Sequence, residues 1–557
     1  MTMSNAKESF VKRRIAVILA LIALMLATVS LPHKSVQAQA AHLTAAPAPR
    51  IIAEVNGAGK GRVWVGAVPA NSSSKPVLVF VHGLHGKAPN WWGATMYHGT
   101  NDMYDKAYAA GYRTAFVSID DEVDGPASSI WVNGATLNRQ LDVILSHYGV
   151  SSVNIIAHSK GGVDTNSAVI HYGASGKVQN IVTLSSPHRG SQLADLAYSW
   201  WAGWLASLLG QRDDGTYSMQ TAYMSNFRSQ TDGSANYSNV RFHTAGGTNH
   251  GPAFSAMWFG GAYISGDNDG VVQVSSSIHP RQYSRLFTRN YDHDNIRLGS
   301  VVWSSIEPSV RGTFRSKVSE NSANSPVVDQ ATTINANSIL RGGMLENASR
   351  GGIRFNLETG VKTANFDFVS NSADLDVAFV DAQGNRYAAN KPVLDTEFFR
   401  GAYHYSAEVA APASGAWSVV VSGGKADTAY LFNATLDSNL NVQLDAASLL
   451  AQPNQSLGLK VNAANAQGLS VKAQLTGTPQ GTELHSALPT NRSLSAKGVD
   501  SASLNLTSPQ AFGLYQVAVT VTGTAADGSS FERSIPLNIG VVDSATKNPA
   551  NSLPAGR

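Results

Sequence analysis

The sequence predicts a parallel, doubly wound α/β sheet followed by two all-β, sandwich-like domains. Before residue 310, short Val- and Ile-rich runs alternate with helical patterns. After it, apolar residues recur at every second position, and Asn, Ser, Ala and Gly become frequent. Strands that alternate with helices are typical of a parallel sheet covered on both faces. Short alternating strands between turns are typical of antiparallel sandwiches.

The composition narrows the classes of function. Hydrophobic residues make up 43% of the 557 residues and charged residues 14%, with a net charge of +3. This charge is too small to indicate nucleic acid or an anionic membrane surface as a partner. The absence of cysteine excludes disulfides, thiolate metal sites and a cysteine nucleophile. We expect a monomer that binds no nucleic acid.

The first 40 residues predict export. Three basic residues at 12–14 precede an uncharged apolar run at 15–29, and Ala38-Gln39-Ala40 supplies the small-x-small pattern of a cleavage site. We interpret residues 1–40 as a signal peptide of a secreted, extracellular protein. The alternative is an N-terminal membrane anchor, but the apolar run is shorter than the roughly 20 residues that a span requires.

The mature chain divides into domains where its pattern changes. Residues 41–309 form the predicted α/β domain, with a helical pattern at 137–148 and strands at 75–81, 113–119, 153–157 and 178–184. Two-residue alternation at 375–379, 417–421 and 515–521, with turn signals between the runs, indicates strands of sandwiches. We therefore expect three further parts: a jelly-roll-like sandwich at 310–437, an Ig-like sandwich at 438–544 and a disordered tail at 545–557.

The stretch VNIIAHSKGGVDT (153–165) predicts a nucleophile at Ser159. A nucleophile elbow turns a strand sharply into a helix and requires small residues two before and two after the serine. Ala157 and Gly161 occupy these positions, so the motif is A-x-S-x-G. The alternative is an incidental serine in a strand-to-helix turn.

A second stretch predicts an oxyanion hole. The strand at 77–81 runs directly into HGLHG at 82–86. A strand followed by His-Gly and a bulky residue presents a backbone N–H to a developing oxyanion. We expect this hole to consist of the N–H groups of Leu84 and of Lys160, the residue after the serine.

The acid and base are predicted further along the chain. In YISGDNDGVV (263–272) we expect an apolar strand that ends at the acidic loop, with Asp269 as the triad carboxylate and Asp267 as its competitor. An Asx turn or a calcium loop is the alternative for this stretch. His293, in NYDHDNI, is the expected base, and His279 is its rival. The order Ser, Asp, His is the one expected for this fold.

The other histidines near these motifs are expected to support the site. His82 and His158 adjoin the oxyanion loop and the elbow, where they are expected to orient the backbone rather than transfer protons. His188, in SSPHRGS, is expected beside the site.

Together, HGL, AHSKGG, SSPHRGS, NDGVV and a late histidine resemble the secreted bacterial true lipases of the α/β-hydrolase fold. The resemblance covers about residues 75–300. It implies hydrolysis of carboxylic esters, in particular acylglycerols, without a cofactor, and also an apolar acyl groove and a mobile lid. The β-rich remainder lies outside the resemblance, and it either binds an insoluble surface or acts as a spacer.

The chain departs from this family in three ways. Alanine replaces the first glycine of the elbow, and the disulfide usual in the lipases with the most similar motifs cannot form. Many members bind structural calcium through an aspartate two residues after the catalytic histidine. That position is Asn295 here, with Asp294 beside it, so neither calcium nor any other metal is predicted.

About 75 residues separate SSPHRGS from NDGVV, more than one strand and one helix require. This insertion contains an aromatic and apolar cluster: Trp200, Trp201, Trp204, Leu205, Leu208 and Leu209. It is interpreted either as a lid over the acyl groove or as a buried core helix.

The predicted function is that of a triacylglycerol lipase or carboxylesterase. An extracellular polyester depolymerase would share the whole triad, and a serine peptidase would use the same fold. The alternative from another class is a non-catalytic surface-binding protein.

Overall fold

The computed structural model describes residues 45–543 except 58, 73–74, 120–125, 210–211, 314–331, 346–351, 397, 426 and 480–487. The predicted signal peptide (1–40) and the predicted C-terminal tail (545–557) lie outside the described residues. One compact unit begins at Ala46. Within the described part of the chain, no helix combines the length and apolar character needed to cross a membrane.

The first part of the chain forms the predicted α/β domain around an eight-stranded sheet of order β1-β2-β4-β3-β5-β6-β7-β8. The strands from β4 to β8 in this order are parallel, whereas β1 and β2 are joined antiparallel at one edge. The strands are β1 (Arg50–Val55), β2 (Gly61–Val65), β3 (Leu78–Val81), β4 (Thr114–Ile119), β5 (Val153–His158), β6 (Val178–Leu184), β7 (Arg241–Gly247) and β8 (Gln282–Arg289).

Helices cover both faces of this sheet. They are α1 (Met103–Ala109), α2 (Ile130–Tyr148), α3 (Lys160–His171), α4 (Gln192–Tyr198), α5 (Gly203–Leu208), α6 (Asp214–Ser218), α7 (Thr221–Thr231), α8 (Ala256–Tyr263) and α9 (Gly299–Val310). Short 3₁₀ turns lie at Ala88–Trp91, Ala174–Gly176, Ala235–Asn239 and Asn295–Arg297.

The central strand β3 shows why the sheet needs helices on both sides. Val79 and Val81 belong to the core shared with α2 and α3, whereas Leu78 and Phe80 belong to the core shared with α1 and α9. Successive side chains of a strand point to opposite faces, so a strand that is apolar at every position is buried on both faces.

The four predicted strands correspond to β3, β4, β5 and β6, and the predicted helix at 137–148 lies within α2. The prediction of a strand directly before the acidic loop is wrong. Only Tyr263 of that stretch lies in a regular element, as the last residue of helix α8, and residues 264–267 form a bend. The helix begins at a cap in which the Ser255 side chain accepts from the Trp258 N–H. The short apolar run around it carries no period that separates a strand from a buried helix.

The β-region (residues 332–543) contains four sheets, which pair into two sandwiches. The first sandwich has sheets β10-β18-β12-β16-β15 and β11-β17-β13-β14, and the second has sheets β24-β21-β19-β9 and β20-β26-β25-β22-β23. Its strands are β9 (Thr332–Ala336), β10 (Ser338–Met344), β11 (Ile353–Leu357), β12 (Thr363–Ser370), β13 (Leu375–Val380), β14 (Arg386–Ala388), β15 (Val393–Leu394), β16 (Tyr403–Ala410), β17 (Gly415–Gly423), β18 (Ala429–Asp437), β19 (Asn441–Ala446), β20 (Leu450–Ala451), β21 (Ser456–Ala464), β22 (Ala466–Pro479), β23 (Leu488–Gly498), β24 (Ser501–Thr507), β25 (Gly513–Ala525) and β26 (Ser530–Val541).

The fold class is therefore confirmed. One strand, however, pairs with a strand of the other predicted β domain. The boundary predicted at residue 438 falls between β18 and β19, but β9, which precedes the first sandwich, pairs antiparallel with β19 of the second. The core of the first sandwich is aromatic, with Phe366 and Phe432 of one sheet against Phe355 and Trp417 of the other.

Candidate active site

The strand β5 ends in a strained turn at Ser159. This residue has φ 53° and ψ −133°, and α3 begins directly after it. Such a backbone is rare for a residue with a side chain and costs about 1–3 kcal/mol, so the surrounding structure must hold it. A Cβ on Gly161 would lie 2.2 Å from the His82 carbonyl oxygen, and one on Gly162 would lie 2.1 Å from Ser186 Oγ. The small residues of the motif are thus required by close packing around the turn.

Asp269 and His293 are in direct contact. His293 Nδ1 lies 2.8 Å from Asp269 Oδ2, and the His293 N–H donates to the Asp269 carbonyl oxygen at 3.0 Å. Asp269 Oδ1 accepts from the N–H groups of Val271 and Val272 at 3.1 and 2.8 Å. The carboxylate is only 1% exposed, so it is fixed on both oxygens. Its competitor Asp267 is exposed.

The rival base His279 lies in a different environment. Its Nε2 is 3.2 Å from Arg228 Nη1, and its ring stacks on Phe242 with centroids 4.2 Å apart. Complete burial, together with His188 and Arg228, holds the pKa of His279 well below its usual value. It does not line the cavity at the elbow. His279 therefore packs in the core of the domain and is not near the serine.

His158 connects the elbow to the loop of His293. Its Nε2 lies 2.8 Å from the His293 carbonyl oxygen, and the two rings have centroids 4.6 Å apart. Burial, assisted by the charge of His293, lowers the pKa of His158 well below its usual value. The neutral ring must therefore carry its proton on Nε2, because a carbonyl oxygen only accepts.

The other two supporting histidines are also tied to the backbone or to neighbours. His82 Nε2 accepts from the Ile119 N–H at 2.9 Å, so its Nδ1 is left to donate to the Gly83 carbonyl oxygen at 2.7 Å. His188 is fully buried, with its Nε2 3.1 Å from Thr183 Oγ1.

The predicted oxyanion residues flank the elbow. A Cβ on Gly83 would lie 2.8 Å from Ser159 Cβ, which shows how closely HGLHG approaches the serine. Lys160 opens α3, and its buried ammonium pairs with Asp164 at 2.7 Å. Both Leu84 and Lys160 line the same cavity as the serine.

This cavity has a volume of about 410 Å³ and is lined by Ser159 and His293 together with apolar side chains. The apolar lining comes mainly from α4, α8 and the loop after Asp269: Leu193, Ala194, Ala197, Met257, Val271 and Val272. The first sandwich also contributes. Thr396, Phe398, Phe399 and Arg400, part of the pocket loop (residues 395–396 and 398–400), line the cavity as well. The sequence analysis missed these residues, and no motif in the β-region marks them.

The surroundings of Asp294 do not fit a cation. One of its oxygens accepts from the N–H groups of Met96 and Tyr97, both at 3.0 Å, and the other binds Arg297. The side chain of Asn295 is held by the backbone and the carboxylate of Asp292. The carboxylate oxygens that a cation would need as ligands are thus already bound by N–H groups and by a guanidinium.

The cluster in the insertion is packed rather than free. Trp201 and Leu205 are buried, whereas Trp200 is 42% exposed. The helix α5 contacts β10 and β18, and a Cβ on Gly342 would lie 1.8 Å from the Trp201 carbonyl oxygen. In this structure Trp201 and Leu205 are thus part of a core, as the second interpretation predicts.

Comparison with known proteins agrees with this geometry. Residues 72–200 match the family described as PGAP1-like alpha/beta domain. The crystal structure of Bacillus licheniformis lipase BlEst2 in its propeptide form is 29% identical and aligns over 87% of this chain and 98% of its own, with a TM-score of 0.65. The mature form of that lipase is 39% identical over 45% of this chain and 98% of its own, with a TM-score of 0.40. The chain belongs to the lipases and esterases of the α/β-hydrolase fold.

Proposed function

We propose that this protein hydrolyses carboxylic esters through a triad of Ser159, His293 and Asp269. The observation that carries the proposal is the strained serine, which lines one cavity with a histidine bound to a buried carboxylate at 2.8 Å. A nucleophile at an elbow, a base and an orienting acid are the parts that acyl transfer requires.

In the proposed mechanism, His293 takes the proton from Ser159 as its oxygen attacks the ester carbonyl. The amides of Leu84 and Lys160 stabilise the oxyanion, each contributing about 3 kcal/mol to the transition state. His293 then protonates the leaving alcohol. Water hydrolyses the acyl-enzyme by the same route. Asp269 binds the ring at Nδ1, so Nε2 is the nitrogen that exchanges the proton with the serine in this mechanism. No cofactor takes part.

The apolar side chains of the cavity favour acyl chains, and we propose acylglycerols as substrates of a secreted enzyme. The pocket loop forms part of the wall of this cavity. Phe399 is buried and a Cβ on Gly260 of α8 would lie 2.8 Å from the Phe398 ring. The N–H groups of both phenylalanines donate to Asp395 at 3.0 Å, which gives the loop a fixed shape.

We propose that the chain is a precursor in which the β-region restricts access of long acyl chains. The Bacillus lipase supports this idea, because it occurs in a propeptide form that matches most of this chain and a mature form that matches 45% of it. The mature form corresponds in length to the α/β domain alone.

The test compares residues 41–557 with the Ser159→Ala variant on p-nitrophenyl esters from C2 to C16. Ser238→Ala is the matched control, because Ser238 is exposed and does not line the cavity. We expect turnover by the wild type and the control and none by Ser159→Ala. Limited proteolysis between the α/β domain and the β-region is expected to raise hydrolysis of the long esters most. A folded wild type that turns over no ester before or after proteolysis contradicts the proposal.

A further inference from the structure

The loop HGLHG forms a tight turn with an unusual residue in it. The Gly86 N–H donates to the Gly83 carbonyl oxygen at 3.1 Å, so Leu84 and His85 occupy the two central positions. His85 has φ 53°, in the left-handed region. A positive φ at the second central position of a turn is ordinarily supplied by glycine or asparagine. A histidine there needs an interaction that holds it.

That interaction is a hydrogen bond to Asp213. His85 Nε2 lies 2.6 Å from Asp213 Oδ2, and both side chains are nearly buried, at 10% and 4% exposure. Asp213 also accepts from the N–H groups of Ala127 and Thr216, at 3.0 and 2.7 Å. Although burial acts to raise the pKa of Asp213, the contacts with His85 and these amides hold it below its usual value. The carboxylate is thus charged, which strengthens the bond to His85.

The segment that carries Asp213 also packs on Leu84, the other central residue of the turn. A Cβ on Gly215, two residues after Asp213, would lie 2.7 Å from Leu84 Cδ1 and 2.5 Å from the Ala127 side chain. The Gly215 N–H donates to the Ala127 carbonyl oxygen at 2.8 Å. The start of α6 therefore fixes the turn at two adjacent side chains, Leu84 and His85.

We propose that His85 is a positioning residue for the oxyanion hole. Its bond to Asp213 holds the left-handed turn that orients the peptide of Leu84, and so the N–H that Leu84 presents to the cavity. The proposed mechanism gives His85 no proton to transfer, because the base is His293. This inference rests on the proposed ester hydrolysis and adds to it a residue that acts through the backbone.

The test is a pair of variants of the full chain, His85→Ala and His85→Gly, assayed with p-nitrophenyl acetate. Both lose the bond to Asp213, but only glycine adopts the positive φ without strain. We expect His85→Ala to lower kcat about 10- to 100-fold, short of the loss of a whole oxyanion donor, with KM changed less than threefold. We expect His85→Gly to recover at least tenfold of this loss.

A second readout is the affinity for a trifluoromethyl ketone, whose adduct places an oxyanion in the hole. It should fall in His85→Ala by the same factor as kcat and recover in His85→Gly. Wild-type kcat in the alanine variant, or equal loss in both variants, overturns the inference. If the alanine variant does not fold, Asp213→Asn takes its place, because it removes the charge that strengthens the bond to His85 and leaves residue 85 unchanged. Its kcat should fall, and a wild-type kcat in this variant overturns the inference.

The result for the wild type separates this inference from the proposed function. A wild type that hydrolyses the ester and loses activity as Ser159→Ala confirms the serine, whatever the His85 variants show. A wild type that neither turns over the ester nor reacts with a fluorophosphonate overturns the proposed function and this inference with it.

Discussion

The helix α4 carries a carboxyl group whose ionisation should govern stability near neutral pH. Asp195 is buried where α4 meets strand β26. Its oxygens accept from the Thr221 N–H and hydroxyl at 2.9 and 2.7 Å and from Asn538 Nδ2 at 2.7 Å. Burial raises the pKa of Asp195 to about 7, and these hydrogen bonds offset only part of that effect.

The sign and the size of the effect follow from this pKa. Because the folded protein holds the proton of Asp195 more tightly than the unfolded chain, the stabilisation is complete below about pH 4 and is lost as the pH rises to 7. A rise from 3.8 to about 7 corresponds to about 4 kcal/mol, at about 1.4 kcal/mol for each pH unit. Above pH 7 the group is ionised in both states and the contribution stays constant.

The perturbation is Asp195→Asn, an uncharged side chain of the same shape. Its amide can donate to the Thr221 hydroxyl, which is 2.9 Å from Asn538 Oδ1 and can donate there in turn. We expect the variant to gain about 4 kcal/mol over the wild type between pH 4 and pH 7.5. Urea unfolding followed by tryptophan fluorescence measures this difference at each pH.

Taking the difference between variant and wild type is essential here. Buried neutral histidines such as His188 and His279, with pKa values held well below the usual one by burial, give a pH dependence of opposite sign. They cancel in the comparison. Asp437→Asn is the control, because Asp437 is 61% exposed in its pair with Lys362, and it should follow the wild type. A difference between Asp195→Asn and wild type that stays constant from pH 4 to 7.5 would refute the reasoning.

Three further predictions concern single contacts. Gly161→Ala should lower the free energy of unfolding by about 2–3 kcal/mol, because the added Cβ meets backbone oxygen. The control is Gly176→Ala, which has open space around it and should change the free energy of unfolding by less than about 1 kcal/mol. Urea unfolding compares the two variants. His158→Phe keeps a ring but removes the donor to the His293 loop, so steady-state kinetics should show kcat lowered by up to about 100-fold with folding intact. Glu358→Gln should destabilise the folded protein by about 3–5 kcal/mol, because it leaves the buried guanidinium of Arg533 without its charge partner. Replacing both residues, by Leu and Met, should bring the thermal unfolding midpoint most of the way back to that of the wild type.

The sequence was sufficient to predict the elements that follow from a local pattern of residues. Strands β3 to β6 are short apolar runs bounded by turn residues, and the elbow at Ser159 is encoded by small residues within five positions. The strand expected at the start of YISGDNDGVV is absent, because α8 ends at Tyr263 and a bend follows it, and so short an apolar run has no period that identifies its structure. Asp269 was nevertheless selected by its loop, and the structure places it against His293. The roles of these residues stay predictions.

Contacts between distant parts of the chain could not be predicted in this way. His85 and Asp213 are 128 residues apart, and neither belongs to a motif that names the other. The pocket loop reaches the cavity from a strand connection more than 200 residues after the serine. Its course is set by long-range pairing, with Asp395 bonded to His404 on β16 at 3.2 Å, and no single-sequence pattern reports such pairing.

The tryptophan-rich segment shows how a sequence feature can gain its explanation only from the tertiary structure. Apolar residues stand there on nearly consecutive positions, which a helix with one buried face does not need. In the structure, Trp201 and Leu205 belong to one core with Leu193 and Leu196 of α4 and with Leu340 of β10. The segment is therefore covered by the α/β domain and the β-region at once. A helix in contact with both parts of the chain needs apolar residues on more than one face, and this need accounts for Trp201 and Leu205 without invoking a face kept free for lipid.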